Sequence, residues 1–275
     1  MRFDRSRHVA ALIGLLLFGR SVVAAETGEI VDRTALKVCA DPNNLPFSNE
    51  QRQGFENKIA ELIGVELGLK VDYAWFPQVI GFVRNTLRAH LCDLVMGTVA
   101  GDEIMQTTNP YYFTTYVMFY RSDKGFTFEG LQDPGLAKLR LGVVAGTPPA
   151  DLLVRHDLMS HATPYALSVD TRAQSSTHQM VQDVVDGTID VGCLWGPIAA
   201  YYRKRDDLPL NMVPLKDEPG AARMEYHIAM GVRANEPEWR RRVNAAILKR
   251  RTEITAILRD YGVPLLNERG ELARP

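Results

Sequence analysis

Short runs of hydrophobic and β-branched residues alternate with amphipathic stretches in the first third of the chain. Residues 36–40 form a β-type run that stops at four turn-favouring residues, 41–44. Apolar positions between residues 55 and 67 then recur at helical spacing, and Gly68 suits the end of that helix. A second β-type run covers residues 70–76. The pattern therefore predicts a strand, a loop, a helix and a second strand.

A further helix is predicted over residues 79–90, with Val79, Val83, Leu87 and Leu91 on one face. It leads to another β-type run at residues 92–96. Two consecutive βαβ units predict a parallel sheet with helices on its faces.

Residues 111–120 are aromatic and β-branched without a helix-length break, which predicts a long strand that crosses between two domains. The alternation of strands and helices then restarts. It predicts a strand at 140–144, a helix capped by Thr147, a strand at 165–169, a helix at 175–186 and a strand at 189–194.

The last third of the chain predicts a return to the first domain. Residues 226–232 form a second crossing strand, and residues 236–261 form a helix. The buried stripe of that helix is predicted to be Trp239, Val243, Ile247, Ile254 and Leu258. We expect two α/β lobes joined by two crossing strands, with residues 26–118 and 226–275 in lobe 1 and residues 119–225 in lobe 2. A ligand or partner site is expected between the lobes.

The first 25 residues have the pattern of a secretory signal peptide. Ten apolar or small residues at 9–18 follow three arginines, and Val23 and Ala25 suit the −3 and −1 positions of a cleavage site near Ala25. The alternative is an uncleaved anchor, but the apolar run is too short to span a bilayer. The sequence therefore predicts a Sec-exported periplasmic protein without a membrane span.

Composition excludes several classes of protein. The 275 residues are 46% hydrophobic and 24% charged, with a formal net charge of −1. Removal of residues 1–25 takes away four Arg and one Asp and leaves a charge of −4. A disordered chain, a polybasic nucleic-acid binder and a fibrous repeat are all disfavoured by these values, so no nucleic-acid partner is expected.

Six segments carry a resemblance to a known family: 38–48, 54–60, 81–87, 92–97, 107–112 and 194–199. The most specific is Cys-Ala-Asp-Pro-Asn-Asn-Leu-Pro-Phe-Ser at residues 39–48. With these segments the mature chain resembles a type II periplasmic binding protein, similar to the J-type proteins associated with quinoprotein methanol dehydrogenases (the MxaJ/XoxJ type).

The resemblance implies a non-enzymatic accessory of a methanol dehydrogenase that contains pyrroloquinoline quinone (PQQ). Its role would be to assist maturation or activation of the dehydrogenase by protein contact, with the dehydrogenase's cytochrome c as a possible second partner. No cofactor is implied for this chain itself.

The chain departs from the transporters of this fold at two positions. Amino-acid carriers place an Arg after the third strand and an Asp late in the second lobe, but residues 96–105 contain no Arg and Trp195 stands in the late region. Without these charges a zwitterion loses its charge-assisted hydrogen bonds, so amino-acid transport is disfavoured. The residues expected at the cleft are Asp41, Asn44, Phe47, Phe82, Tyr111, Tyr112, Thr147 and Trp195. Core packing is the alternative for the aromatic ones.

A disulfide between Cys39 and Cys92 is expected from the resemblance. In the usual strand order of this fold the first and third strands are neighbours, which places the two residues within bonding reach in an oxidising compartment. Cys193 would remain a buried thiol.

The terminal helix is basic on an acidic chain. Arg241, Arg242 and Lys249 are candidates for docking an acidic partner, which would act chiefly on the association rate. The alternative is a solvated helix face, with basic residues near its C-terminal end favoured by the helix dipole.

No metal-ligand spacing, nucleophile elbow or phosphate-binding loop occurs in the sequence, so neither a metal site nor enzymatic activity is predicted. Two alternatives to the accessory role stay open. One is a solute-binding protein that delivers a small organic ligand to an ABC transporter. The other is a lyase on the same fold, with Asp41, Asp93 and Asp102 as candidate acid and base groups.

Overall fold

The computed structural model describes residues 33–167, 175–267 and 269–273, all within the unit Val31–Pro275. The predicted signal peptide at residues 1–25, with its cleavage site near Ala25, lies outside the described residues.

Strands and helices alternate along most of the described chain. The strands are β1 (Ala35–Ala40), β2 (Asn43–Asn44), β3 (Ser48–Asn49), β4 (Lys70–Trp75), β5 (Leu94–Val99), β6 (Gln106–Thr107), β7 (Tyr112–Arg121), β8 (Leu141–Val144), β9 (Ala162–Tyr165), β10 (Val191–Trp195), β11 (Leu210–Pro214) and β12 (Glu225–Val232). The α-helices are α1 (Phe55–Leu67), α2 (Phe82–Asn85), α3 (Pro148–Arg155), α4 (Ser176–Val185), α5 (Gly196–Arg205), α6 (Pro237–Lys249) and α7 (Arg251–Asp260).

The main sheet runs in the order β4-β1-β5-β12-β7-β10-β8-β9, with β11 added at β7 and β6 at β12. Strand β1 is parallel to β4 and β5, and β8 is parallel to β9 and β10, as the βαβ pattern predicts. We call the half built on β4, β1, β5 and β12 lobe 1, which also holds α1, α6 and α7. The half built on β10, β8, β9 and β11, with α3, α4 and α5, is lobe 2.

Strand β7 crosses between the lobes, which confirms the predicted crossing strand. Residues 112–115 pair with β12, whereas residues 116–120 pair with β10 and residues 117–121 with β11. At the change of partner, the buried Thr115 donates a hydrogen bond from Oγ1 to the carbonyl oxygen of Leu215 at 2.7 Å. The two α/β lobes and the crossing strand β7 are therefore present. Strand β12, at the position of the second predicted crossing strand, pairs with β5, β6 and the first four residues of β7. The lobe boundaries at 118/119 and 225/226 stay a prediction.

The predicted stripe of the terminal helical region forms part of the core of lobe 1. Its five residues are all buried: Trp239, Val243, Ile247, Ile254 and Leu258. The single helix predicted over 236–261 is wrong, because the chain breaks it into α6 and α7 at Arg250, whose φ of −101° and ψ of 16° depart from helical values.

The helix predicted over residues 79–90 is also wrong, since only α2, a single turn, forms there. Gly81 and His90 both have a left-handed φ, of 94° and 58°, which an α-helix does not accommodate. Thr86 ends α2 with a φ of −123°, and Leu91, expected on the buried face, is 57% exposed. Periodicity of apolar residues alone was therefore insufficient to specify a helix here.

Three smaller differences concern lobe 2. The strand predicted at 165–169 lies at 162–165 as β9, and residues 168–174 lie outside the described part of the chain. No element was predicted over α5, yet Pro197 occupies the first turn of that helix, where its missing amide hydrogen costs nothing. Strand β11 also lies where none is predicted.

The disulfide between Cys39 and Cys92 is present, with the two Cα atoms 5.3 Å apart, and Cys193 is a free, buried thiol. Burial raises the pKa of Cys193 to about 12, so it stays protonated at neutral pH. The predicted pairing is confirmed.

Four buried or partly buried charged residues form a network next to Cys92. Arg33 and Arg233 each pair with Asp93 and with Glu236 at N to O distances between 2.7 and 3.4 Å. Arg233 also donates to the carbonyl oxygens of Leu87 and Cys92. Because loss of one partner would leave a buried charge uncompensated, this network fixes the segment that leads into β5.

Replacement of both bridged cysteines by alanine should lower the free energy of unfolding by about 4 kcal/mol, the loop-entropy value for a closed loop of this length. The two cysteines are separated by 53 residues. Denaturant unfolding of the mature protein measures this change. Native protein treated with a reductant should lose the same stability, whereas the alanine variant should be insensitive to it. Equal stability of the oxidised native protein and the variant would contradict a structural role for the bridge.

Candidate functional site

A cleft of about 690 Å³ lies between the two lobes. Lobe 1 supplies the loop between β1 and α1, the start of α1 and the end of β5. Lobe 2 supplies the ends of β8 and β10 and the starts of α4 and α5. The site thus lies where the carboxyl ends of parallel strands meet, the usual position of ligand sites in open α/β sheets.

The buried carboxylate of Asp41 shapes the lobe 1 rim of the cleft. Its Oδ1 accepts from the amide of Asn43 at 2.8 Å, and its Oδ2 accepts from the amide of Gln78 at 2.6 Å. Asn44 then donates from Nδ2 to Oε1 of Gln78 at 3.0 Å. Asp41 itself is only 2% exposed and does not line the cleft, so its role is to hold the residues that do.

The same loop caps helix α1. The carbonyl oxygens of Pro46 and Phe47 accept from the amides of Phe55 and Glu56 at 2.8 and 3.0 Å, which satisfies two of the free donors at the helix start. Gly54 has no room for a side chain, because a Cβ there would collide with the Phe47 carbonyl. This close packing places the side chains of Phe47 and Glu56 together in the cleft.

Glu56 is the one carboxylate among the described residues that line the cleft. It lies in the first turn of α1, where the helix dipole favours an ionised carboxylate, but burial opposes ionisation and is the larger effect. Desolvation raises the pKa of Glu56 from 4.5 to about 8. Its carboxyl rests against Gly97, where a Cβ would collide with Oε1. At neutral pH this side chain is therefore mostly an uncharged acid.

Aromatic rings form the centre of the cleft. Trp195, at the end of β10, packs edge to face on Tyr116 and Tyr226, with ring centroids 4.8 and 5.8 Å apart. Tyr112 and Tyr116 line the cleft from β7, and Phe47 lines it from the loop of lobe 1. Such surfaces suit apolar groups and cations that lie over the ring faces.

The lobe 2 wall carries hydroxyl groups and a stacked histidine. Ser175, Ser176 and Thr177 line it at the start of α4. The ring of His178 stacks on Tyr202 at 4.4 Å, and burial followed by the nearby Arg205 lowers the pKa of His178.

Arg205 is the only guanidinium among the described residues of this cleft. It donates from Nε and Nη2 to the two carboxylate oxygens of Asp206, both at 2.6 Å. This bidentate pair compensates its charge locally.

Five of the eight residues predicted at the cleft line it: Asn44, Phe47, Tyr112, Thr147 and Trp195. The structure places Asp41, Phe82 and Tyr111 elsewhere. Phe82 packs in a small core with the disulfide, and Tyr111 donates from its hydroxyl to the carbonyl oxygen of Met96 at 2.9 Å. Thr147 caps α3 by position, but its Oγ1 donates to the carbonyl oxygen of Val144 at 2.6 Å.

Sequence reasoning missed Glu56, His178 and Arg205. The residues at 54–60 carry the family resemblance, yet helical periodicity treats Glu56 as an ordinary polar residue of the first turn. Its proximity to β5 depends on tertiary packing, which no local pattern reveals. Near Glu56, the sequence marks only Gly54, a glycine directly before the helix, as a position that could indicate the start of α1.

The basic residues proposed for docking lie on α6. Arg241 is 66% exposed and pairs with Glu238 on its own helix, and the guanidinium of Arg242 lies 5.7 Å from the ring of Trp239. Lys249 instead pairs with Glu66 of α1 at 2.6 Å, where Arg250 also binds. Lys249 therefore contributes to the contact between α1 and α6.

Two α/β lobes, crossing strands and a cleft between them define a type II periplasmic binding protein. The chain belongs to the bacterial extracellular solute-binding proteins, family 3, whose model matches residues 36–263.

Similar proteins cover almost the whole chain. Protein MoxJ of Paracoccus denitrificans is 29% identical over 262 residues, 90% of this chain and 95% of the relative. Protein MoxJ of Methylorubrum extorquens is 32% identical over 249 residues, 86% of this chain and 83% of the relative. The crystal structure of the periplasmic binding protein XoxJ from Methylobacterium extorquens AM1 is 38% identical with a TM-score of 0.73, covering 85% of this chain and all of that chain.

Within residues 33–167, 175–267 and 269–273, no helix is long and apolar enough to cross a membrane. The same residues contain no group of three or more His, Cys, Asp or Glu side chains arranged to hold a metal ion.

The raised pKa of Glu56 predicts that the free energy of unfolding decreases as the pH rises. Between about pH 4.5 and pH 8 the unfolded chain ionises Glu56 while the folded protein keeps the proton, so stability attributable to this group falls as pH rises. Glu56→Gln should therefore be as stable as the native protein below pH 4.5 and about 2–4 kcal/mol more stable at pH 8.

Urea unfolding at a series of pH values measures this difference. Glu61→Gln is the matched control, because Glu61 lies on the same helix but is exposed and paired with Arg52 at 3.2 Å. A constant difference between Glu56→Gln and the native protein across this pH range would contradict the shifted ionisation.

Proposed function

We propose that the protein is a periplasmic accessory of a PQQ-dependent methanol dehydrogenase and assists its maturation or activation by direct protein contact. It acts without catalysing a reaction, and the cytochrome c of that dehydrogenase is a second candidate partner. The observation that carries the proposal is the similarity to the MoxJ proteins over 86–90% of the chain. The 39–48 segment, which resembles the dehydrogenase-associated family, supports it.

The chemistry of the cleft favours this role over amino-acid transport. At the end of β5 the described cleft lining consists of Gly97, Thr98 and Val99, and the following residues 100–105 contain no Arg, which a carrier would present here. Trp195 lies in the late region where a carrier would present an Asp. Arg205, the cation on the opposite wall, is already bound by Asp206. Among the described residues of the cleft, a free amino acid would thus find no uncompensated guanidinium for its carboxylate.

A solute-binding protein of an ABC transporter is the second candidate, because a cleft of about 690 Å³ has the size of a small-molecule site. The lyase alternative has less support. Asp41 is bound to backbone amides, Asp93 belongs to the buried charge network, and Asp102 accepts from Oγ1 of Thr98 at 2.8 Å. These three carboxylates do not line the cleft as a group.

Two surfaces are available for contact with the dehydrogenase: the basic face of α6 and the aromatic cleft. Arg241→Glu combined with Arg242→Glu should slow association and weaken its salt dependence if α6 docks, because long-range attraction acts on encounter. Trp195→Ala should mainly raise the dissociation rate if the cleft docks, because a buried aromatic anchor acts after encounter. Surface plasmon resonance with the dehydrogenase from the same genome measures both rates.

The matched control is Arg203→Glu combined with Arg223→Glu, which makes the same charge change at exposed residues outside α6. Lys249 is kept unchanged, since its replacement would also break the pair with Glu66. Absence of binding by the native protein to both the apo and the holo dehydrogenase would contradict the accessory role and leave solute binding as the better account.

A further inference from the structure

We propose that the cleft binds a primary ammonium group and that the carboxyl of Glu56 is its recognition group. This inference goes beyond contact with a dehydrogenase and does not depend on it. The shared chemistry is an organic amine, presented either by a free small molecule or by a lysine side chain of a partner.

Glu56 is the one acid among the described residues that line the cleft. No hydrogen bond or ion pair from a described residue reaches the Glu56 carboxyl, which is half-buried in the wall of the cleft. A partly desolvated carboxyl without a hydrogen-bond partner is destabilising for the fold when it is ionised. An ammonium group would supply both the opposite charge and the hydrogen-bond donors that this carboxyl lacks.

The groups packed around Glu56 do not compensate it. Tyr73 of β4, Tyr112 at the start of β7 and the preceding Tyr111 interact with it electrostatically, and burial raises the pKa of each phenol, so they stay neutral. They supply no positive charge. The described groups around Glu56 therefore supply no cation that could pair with its ionised carboxylate.

The aromatic walls favour the same class of ligand. Phe47, Tyr112, Tyr116 and Trp195 line the cleft together with Glu56. An organic cation can place its charge at a carboxylate and against ring faces while burying its carbon skeleton, a combination that suits neither an anion nor a small neutral solute.

The opposite wall argues against a free amino acid as the ligand. Arg205 is the one guanidinium in the described lining, and Asp206 occupies its Nε and Nη2 donors. A ligand carboxylate would have to compete with Asp206. An amine should therefore bind more tightly than the amino acid with the same side chain.

Binding is coupled to a proton. At pH 7 the acid is mostly protonated, and an ammonium ligand binds the ionised carboxylate, so each binding event releases close to one proton to the buffer. Amine affinity should rise as pH increases toward 8 and level off above it, as long as the amine itself stays protonated.

The test is calorimetry of the mature protein with three ligands of the same skeleton: 2-phenylethylamine, 2-phenylethanol and L-phenylalanine. We expect the amine to bind at least about tenfold more tightly than the alcohol and the amino acid, since hydrogen bonds to charged groups are worth ~1.5–3 kcal/mol. Repetition at pH 7 in buffers of different ionisation enthalpy should give a proton release close to one.

Two variants separate recognition from folding. Glu56→Gln should weaken amine binding at least about tenfold and abolish the proton release. Gly97→Ala keeps the acid but displaces its carboxyl, because the added Cβ would meet Oε1, so it should also weaken the amine. Glu61→Gln, on the same helix, should bind as the native protein does.

The source of the amine is distinguished by adding Nα-acetyl-lysine methylamide to the series. Tighter binding of 2-phenylethylamine points to a free small amine, and tighter binding of the lysine derivative points to a partner side chain. Equal affinity of the amine and the alcohol, absence of amine binding, or an unchanged affinity in Glu56→Gln would overturn the proposal. Failure of the dehydrogenase to bind would leave this result untouched, so the two proposals can fail separately.

Discussion

The architecture depends on one strand that forms hydrogen bonds in both lobes. Strand β7 pairs with β12 over its first four residues and with β10 and β11 over the remainder. Because Tyr112 and Tyr116 lie on either side of that change of partner, the strand that joins the lobes also supplies the aromatic floor of the cleft. Thr114 and Thr115, both fully buried, secure it through hydrogen bonds to the carbonyl oxygens of Pro264 and Leu215. The fold and the site therefore share one structural element.

A second set of contacts determines the character of the cleft. The buried Asp41 organises the rim loop, and the carbonyl groups of Pro46 and Phe47 cap α1. Glu56 therefore faces the cleft, and no described residue pairs with its carboxyl. In lobe 2, Asp206 compensates Arg205 and His178 stacks on Tyr202. Such a site retains the geometry of a solute-binding cleft while its charges are either compensated or suppressed by burial.

Much of the fold could be predicted because its signals are local. The spacing of apolar residues located α1 and the buried stripe from Trp239 to Leu258, and the aromatic run at residues 111–120 located the crossing strand. The same signal failed at residues 79–90, where the left-handed conformations of Gly81 and His90 prevent a helix despite the apolar spacing. This segment ends at Cys92, whose bridge to Cys39 and whose carbonyl contact with Arg233 are long-range interactions that periodicity does not report.

The residues of the cleft were harder to predict from the sequence than the elements of the fold. Positions at the ends of strands, such as Asn44 and Trp195, were found because strand ends point into the crevice of this architecture. Asp41 was misplaced because a turn carboxylate can point either to solvent or to backbone amides, and only the structure decides between them. Glu56 was missed because its importance comes from what surrounds it, and burial of a first-turn residue is a tertiary property.

The central claim is that the cleft holds an acid that burial keeps neutral until a cation arrives. The most direct measurement is a carbon-detected NMR titration of the Glu56 side-chain carboxyl in the mature protein, assigned with Glu56→Gln, with and without 2-phenylethylamine. The account predicts a midpoint near 8 for the free protein and a clearly lower one with saturating amine. A midpoint near the ordinary value of 4.5, unchanged by the amine, would contradict it.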